Sequence, residues 1–188
     1  MNYVPKDQIK NYPLINFNGI IHVVNDPSSL EHAIAVICAS KILGFDTETK
    51  PAFKKGVSYN ISVLQISSGD DVFIFQLNKC GLDKRIINIF TSSKILKVGI
   101  DIKNDLLGLK KIQYFQESNF IDLNQLALEK GFKSIGAVKL SILLLGFRVS
   151  KRQRLSDWSA DILSESQLEY AAIDAWICPL ILERLTRY

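Results

Sequence analysis

The sequence predicts an α/β fold: a mixed central β-sheet, its first three strands antiparallel and the later strands parallel, flanked by helices. Three observations carry this. Short apolar runs bounded by turn residues crowd the first 80 residues. Past Gly81 the pattern becomes an alternation of strand-like and helix-like segments. The chain has 188 residues, 47% hydrophobic and 22% charged, which suits one domain with a sizeable core. No internal repeat or low-complexity tract interrupts it.

Residues 1–18 are polar, contain Pro5 and Pro13, and read as an N-terminal arm. A single domain is expected over 19–188. Ile20 to Val24 is a first strand, closed by Asn25-Asp26-Pro27. Ser28 or Ser29 can cap a helix through Leu30, Ala33, Val36 and Ile37. Ile42 to Thr49 is an apolar run ending in acids. Ile61 to Ser67 and Asp71 to Gln76 are two strands joined at Ser68-Gly69-Asp70, and with the acidic strand they form the antiparallel set. A helix follows from Asp83 to Phe90, a strand from Ile95 to Gly99, and a helix from Ile102 to Lys111. Asn119 to Ile121 is a short strand leading into a helix capped by Asp122. Gly136 to Leu145 is an apolar helix ended by Gly146. The last helix runs from Ser164 to Leu185, with Ser164 and Gln167 spaced as a capping box.

Net charge is +4 with a pI near 8.9, which permits a polyanionic partner without demanding one. Cys38, Cys80 and Cys178 are far apart, with no Cys-x-x-Cys pair, and are expected to be reduced core thiols. The first residues lack the apolar stretch of a secretory signal, and no run approaches the ~20 residues of a membrane helix. The expectation is a soluble intracellular, cytoplasmic protein. His22 and His32 lack ligand spacing and are expected to be structural.

The stretch Phe45-Asp46-Thr47-Glu48 holds the chemistry. A strand has a period of two, so Asp46 and Glu48 share a face, roughly 7 Å apart along the strand. Their repulsion is relieved by water or, more sharply, by a divalent cation between them. Further acids come from two helices. Asp105 falls in a first helical turn after Val98-Gly99, and Tyr170 and Asp174 are four apart on one helical face. Singly, each has an ordinary reading: Asp105 as a charge favoured by the helix dipole, Asp174 as a solvated acid.

Taken in order, these motifs resemble the DEDD superfamily of 3′–5′ exonucleases, in its tyrosine-bearing DEDDy form. That group includes the RNase D and Werner-type exonuclease domains and, more distantly, polymerase proofreading domains. Asp46-Thr47-Glu48 matches the first motif, Val98-Gly99 through Asp105 the second, and Tyr170-Ala171-Ala172-Ile173-Asp174 the third. Leu64-Gln65-Ile66-Ser67, Asp122-Leu123 and Leu155-Ser156-Asp157-Trp158-Ser159 are secondary matches. The histidine-bearing form would need His at position 169, which is Glu.

The resemblance implies an RNase H-like exonuclease fold over residues 20–186 and hydrolysis from the 3′ end of DNA or RNA, releasing 5′-mononucleotides. It implies two divalent cations, Mg²⁺ or Mn²⁺, about 3.5–4 Å apart. Asp46 would bridge both, Glu48 and Asp174 would hold the ion that activates water, Asp105 would support the second, and Tyr170 would orient the attacking water. Trp158 would be a packing residue. Lys54, Lys55, Arg148, Lys151, Arg152 and Arg154 flank these motifs and could meet backbone phosphates. Phe53 could stack on a terminal base or staple its own loop. Two rival readings use the same residues: a non-catalytic nucleic-acid-binding module of this fold, and a metal-dependent phosphatase or nucleotidase acting on small phosphoesters.

Overall fold

Six strands hydrogen-bond into one mixed sheet in the computed structural model, which describes residues 2–188. Across the sheet lie β1 (Ile20–Val24), β4 (Asp71–Gln76), β3 (Ile61–Ser68), β2 (Ile42–Thr49), β5 (Leu96–Gly99) and β6 (Phe120–Asp122). The trio β2, β3 and β4 is antiparallel, whereas β5 joins β2, and β6 joins β5, in parallel. The strand that comes first in sequence behaves differently: β1 pairs parallel with β4, outside the antiparallel trio. Its chain leaves through a helix rather than a hairpin, so it is not confined to antiparallel pairing with the next strand.

The helices are α1 (Pro27–Ala39), α2 (Leu77–Cys80), α3 (Lys84–Thr91), α4 (Lys103–Ile112), α5 (Leu123–Glu129), α6 (Ala137–Leu145) and α7 (Glu165–Leu185). The N-cap of α1 is Asp26, not a serine: its carboxylate accepts from the N–H groups of Ser28 and Ser29, and Ser29 returns a bond as the third residue of a capping box. Asp122 caps α5, and Ser164 with Gln167 caps α7 as the spacing predicts. The one-turn helix α2 and a 3-10 helix at Lys6–Asn11 carry no amphipathic period long enough to be read from sequence.

Alternation along the strands assigns two layers. Leu43, Phe45, Leu64, Ile66, Phe73 and Phe75 point to one face, where α1, α3 and α4 cover them. Val63, Val72 and Ile74 point to the other, where α7 packs through Ala171, Ala172 and Ala175. The approach is close because the facing residues are small. A Cβ built on Gly44 of β2 would lie 2.0 Å from the Ala175 carbonyl oxygen. Trp158 is fully buried in this second layer, as a packing residue should be. Of the cysteines only Cys178 is a core thiol; Cys80 is half-buried and Cys38 is exposed, because it falls on the outer face of α1. His22 is bonded to Asp71 and stacked on Phe73. Among the described residues no helix is long and apolar enough to cross a membrane.

Candidate active site

Strand β2 ends at the rim of the sheet, and the last residues on its α7 face are Asp46 and Glu48. Across from them α7 presents Asp174 and, one turn earlier, Tyr170. Asp46, Glu48 and Asp174 each offer a carboxylate oxygen, and these oxygens lie within 4.8 Å of one another. They line a cavity of about 340 Å³ together with Tyr170, Lys151 and Arg154.

Asp105 arrives differently. Thr47 points to the opposite face of β2 from Asp46, toward α4, and its hydroxyl donates to the Asp105 carboxylate. Asp105 therefore sits around the strand end from the three gathered acids and lines an adjoining groove with Thr47, Tyr59 and Lys111.

The electrostatics are those of crowded, buried like charges. Burial first, and then Asp174, Asp105 and Glu48, push the Asp46 carboxyl well above the usual range. Burial and the neighbouring Asp174 and Asp105 raise Glu48 to about 8, against a partial offset from Arg154. Burial raises Asp174 to about 7, opposed by the Tyr170 hydroxyl and Lys151. Asp105 is raised to about 6 by burial, with the Thr47 hydrogen bond pulling the other way. Burial and the same carboxylates drive the Tyr170 phenol upward, so it stays protonated at neutral pH. Among the described residues, none of these four acids is in an ion pair within 4.0 Å.

The basic residues separate into three places. Lys151 and Arg154 face the acidic cavity, while Arg148 and Arg152 line a neighbouring trough that Lys151 also borders. Phe53 and Lys54 line a third cleft, beside Tyr59 and Leu155, and Lys55 is exposed.

Sequence reasoning passed over Thr47, Asp101 and Asn124, which also line these cavities. Asp101 has a positive φ of 60°, unusual for a residue with a Cβ. The Asp122 carboxylate holds that turn by accepting from the N–H groups of Asp101, Ile102 and Asn124. The pattern of an acid capping the helix after a short strand was legible; its second task, across 21 residues, was not.

A mixed sheet with an acidic cluster at the end of a central strand and a long helix laid across it defines an α/β domain with an acidic pocket that could hold a metal ion. The chain belongs to the 3′–5′ exonuclease family, whose family model, described as 3′–5′ exonuclease, matches residues 21–188. The murine bifunctional 3′–5′ exonuclease/ATP-dependent helicase WRN is 28% identical over 186 residues, 93% of this chain and 13% of that protein. Ribonuclease D of Acidiphilium cryptum is 31% identical over 168 residues, 82% of this chain and 42% of that protein. The chain thus spans less than half the length of either relative. Among solved structures, the EXO domain of Aedes aegypti Nibbler has a TM-score of 0.82 at 21% identity, covering 92% of this chain and 91% of that chain. Escherichia coli RNase D has a TM-score of 0.79 at 22% identity, covering 89% and 44%. These likenesses define the shared fold.

Proposed function

We propose that this chain is a two-metal-ion 3′–5′ exonuclease, hydrolysing phosphodiester bonds from the 3′ end of DNA or RNA and releasing 5′-mononucleotides. The observation that carries the reading is the gathering of Asp46, Glu48 and Asp174 beside Tyr170 with, among the described residues, no ion pair to any of them within 4.0 Å and only a partial offset from the more distant Lys151 and Arg154. Buried carboxylates left unpaired are costly, and hard oxygen donors in this number suit Mg²⁺ or Mn²⁺ rather than a thiophilic metal. The three gathered acids would hold one ion, and Asp46 with Asp105 would support a second. Ions held there would supply the Lewis acidity that makes a water nucleophilic and would stabilise charge on the leaving oxygen.

The remaining tasks fall to the chain's own groups. Tyr170 keeps its proton, so it orients a water by hydrogen bonding and does not abstract a proton. Lys151 and Arg154 stand at the wall of the cavity, where they balance the charge of an incoming phosphate. Thr47 fixes the Asp105 carboxylate by hydrogen bond and so sets its direction.

The test uses 5′-labelled single strands and duplexes of DNA and RNA, with Mg²⁺ or Mn²⁺ and with chelator. A ladder shortening from the 3′ end, stopped by chelator, is the expected result. Strand retention without cleavage would point to the binding module. Phosphate release from small esters alone would point to the phosphatase.

A further inference from the structure

Beside the acidic cavity lies a second one, of about 600 Å³, that the chemistry of the acids does not use. It is basic and apolar at once. Lys6, Lys139, Arg148, Lys151 and Arg152 border it, and its walls include the apolar side chains of Ile9, Ile135, Val138 and Val149. No acidic side chain lines it, and among the described residues none of its five cations is in an ion pair within 4.0 Å. Free cations along an apolar floor fit a ligand that alternates phosphates with flat apolar rings.

The trough adjoins the acidic cavity: Gly136 and Lys151 line both. One wall is the 3-10 helix Lys6–Asn11, part of the segment read as an arm. That segment is fastened at both ends, to the residues just before Ile135 and to Arg148. At its start Lys133 N–H donates to the Asn2 carbonyl at 2.9 Å and Val4 N–H donates to the Ser134 hydroxyl at 3.2 Å. At its end Arg148 N–H donates to the Pro13 carbonyl, Ile15 N–H donates to the Arg148 carbonyl, and Arg148 Nε donates to the Tyr12 carbonyl at 3.0 Å. Val4 is buried, so the arm is docked on the domain rather than trailing from it.

We infer that this trough seats single-stranded nucleic acid just upstream of the terminal nucleotide, and that the N-terminal segment is a wall of the substrate path. The inference rests on the exonuclease reading for what occupies the neighbouring cavity. Phosphates lie against Lys6, Lys139 and Arg152, while bases meet the apolar floor.

The experiment measures binding apart from cleavage. Anisotropy of a fluorescent oligonucleotide of DNA or RNA is followed in chelator with the wild-type protein, Lys6→Glu/Lys139→Glu, and a control charge reversal far from the trough, Lys94→Glu. The double variant should lose at least tenfold in affinity, with a log–log salt slope shallower by roughly 1.4 (about 0.7 per lost phosphate contact). The control should lose much less. Equal losses in the two variants, or none in the double variant, would overturn the trough, as would a wild-type protein that binds no single strand. If the double variant alone loses binding but no protein cleaves with Mg²⁺ or Mn²⁺, the trough stands and the exonuclease reading falls. Thermal melts check that all variants fold; should the double variant not fold, Arg152→Glu, an exposed position, takes its place.

Discussion

The hydroxyl of Ser67 on β3 donates to the carbonyl of Ala175 on α7, 3.1 Å away. Ala175 is the residue whose helical partner would be position 179, and position 179 is proline. Pro179 has no N–H to give, so the Ala175 carbonyl would be orphaned in the core. Ser67, fully buried, supplies the missing donor from the sheet. The bond ties α7 to the sheet one residue beyond Asp174, and so sets how far that acid stands from Asp46.

Ser67→Ala should therefore leave a buried carbonyl unsatisfied and destabilise the fold by about 1–3 kcal/mol. In a Pro179→Ala background the helix regains its own N–H donor, and the same serine change should then cost about 1 kcal/mol less. Chemical denaturation of the four proteins of this cycle measures the coupling. Additive losses would mean that the serine hydroxyl does not serve the orphaned carbonyl.

Gly44→Ala is a harsher test of the same contact. The added Cβ would meet the Ala175 carbonyl oxygen at 2.0 Å and the Ser67 hydroxyl at 2.2 Å, so α7 must move. A loss of about 3 kcal/mol or more is expected, with cleavage falling as Asp174 shifts away from β2. Denaturation and end-labelled strand assays report the two effects.

The crowded acids make a prediction about pH in the metal-free protein. Glu48 at about 8, Asp174 at about 7 and Asp105 at about 6 all bind protons more tightly folded than unfolded, where the ordinary values are 4.5 and 3.8. Their contribution to stability is full below pH 3.8 and is lost as pH rises toward 8. Saturating Mg²⁺ should flatten this fall, since a ligand of the ionised site stabilises the folded state. Melting temperature against pH, with and without the ion, checks both.

Lys97 contributes with the opposite sign. Its ammonium is held inside by the carbonyls of Ser92 and Ile95 at 2.7 and 2.8 Å, and burial lowers it from 10.5 to about 8. The unfolded chain keeps that proton longer, so its contribution to stability rises between pH 8 and 10.5. The buried Cys178 thiol and the Tyr170 phenol, both raised by burial, pull the other way above pH 9 and 10, so Lys97→Met should make the alkaline fall in stability steeper.

Asp46→Asn separates catalysis from folding. It removes, at nearly constant shape, a carboxyl that burial and its neighbours hold well above its unfolded value, so the metal-free protein should melt higher at pH 8 while cleavage is lost. Calorimetry and the strand assay give the two readings. An unchanged cleavage rate would remove Asp46 from the catalytic set.

Local periodicity made much of this molecule legible in advance. The alternation of β2 put Asp46 and Glu48 on one face, and the four-residue spacing on α7 put Tyr170 with Asp174, because each relation lies within one element and follows from its pitch. Capping residues marked the starts of α5 and α7 for the same reason: a cap acts within three residues of itself. Where the rule was applied to the wrong neighbour, as with the serines of α1, the stronger acceptor at Asp26 prevailed.

What only the tertiary structure decided lies between elements. Asp105 reaches the strand end from the opposite layer, Ser67 repairs a carbonyl 108 residues away, and the segment at Lys6 meets the loop at Arg148 to make a trough. Side-chain period fixes which face a residue occupies but not which face of another element will be laid against it. That choice belongs to strand crossovers and to close packing of small residues such as Gly44, whose contacts form only when the whole chain has folded.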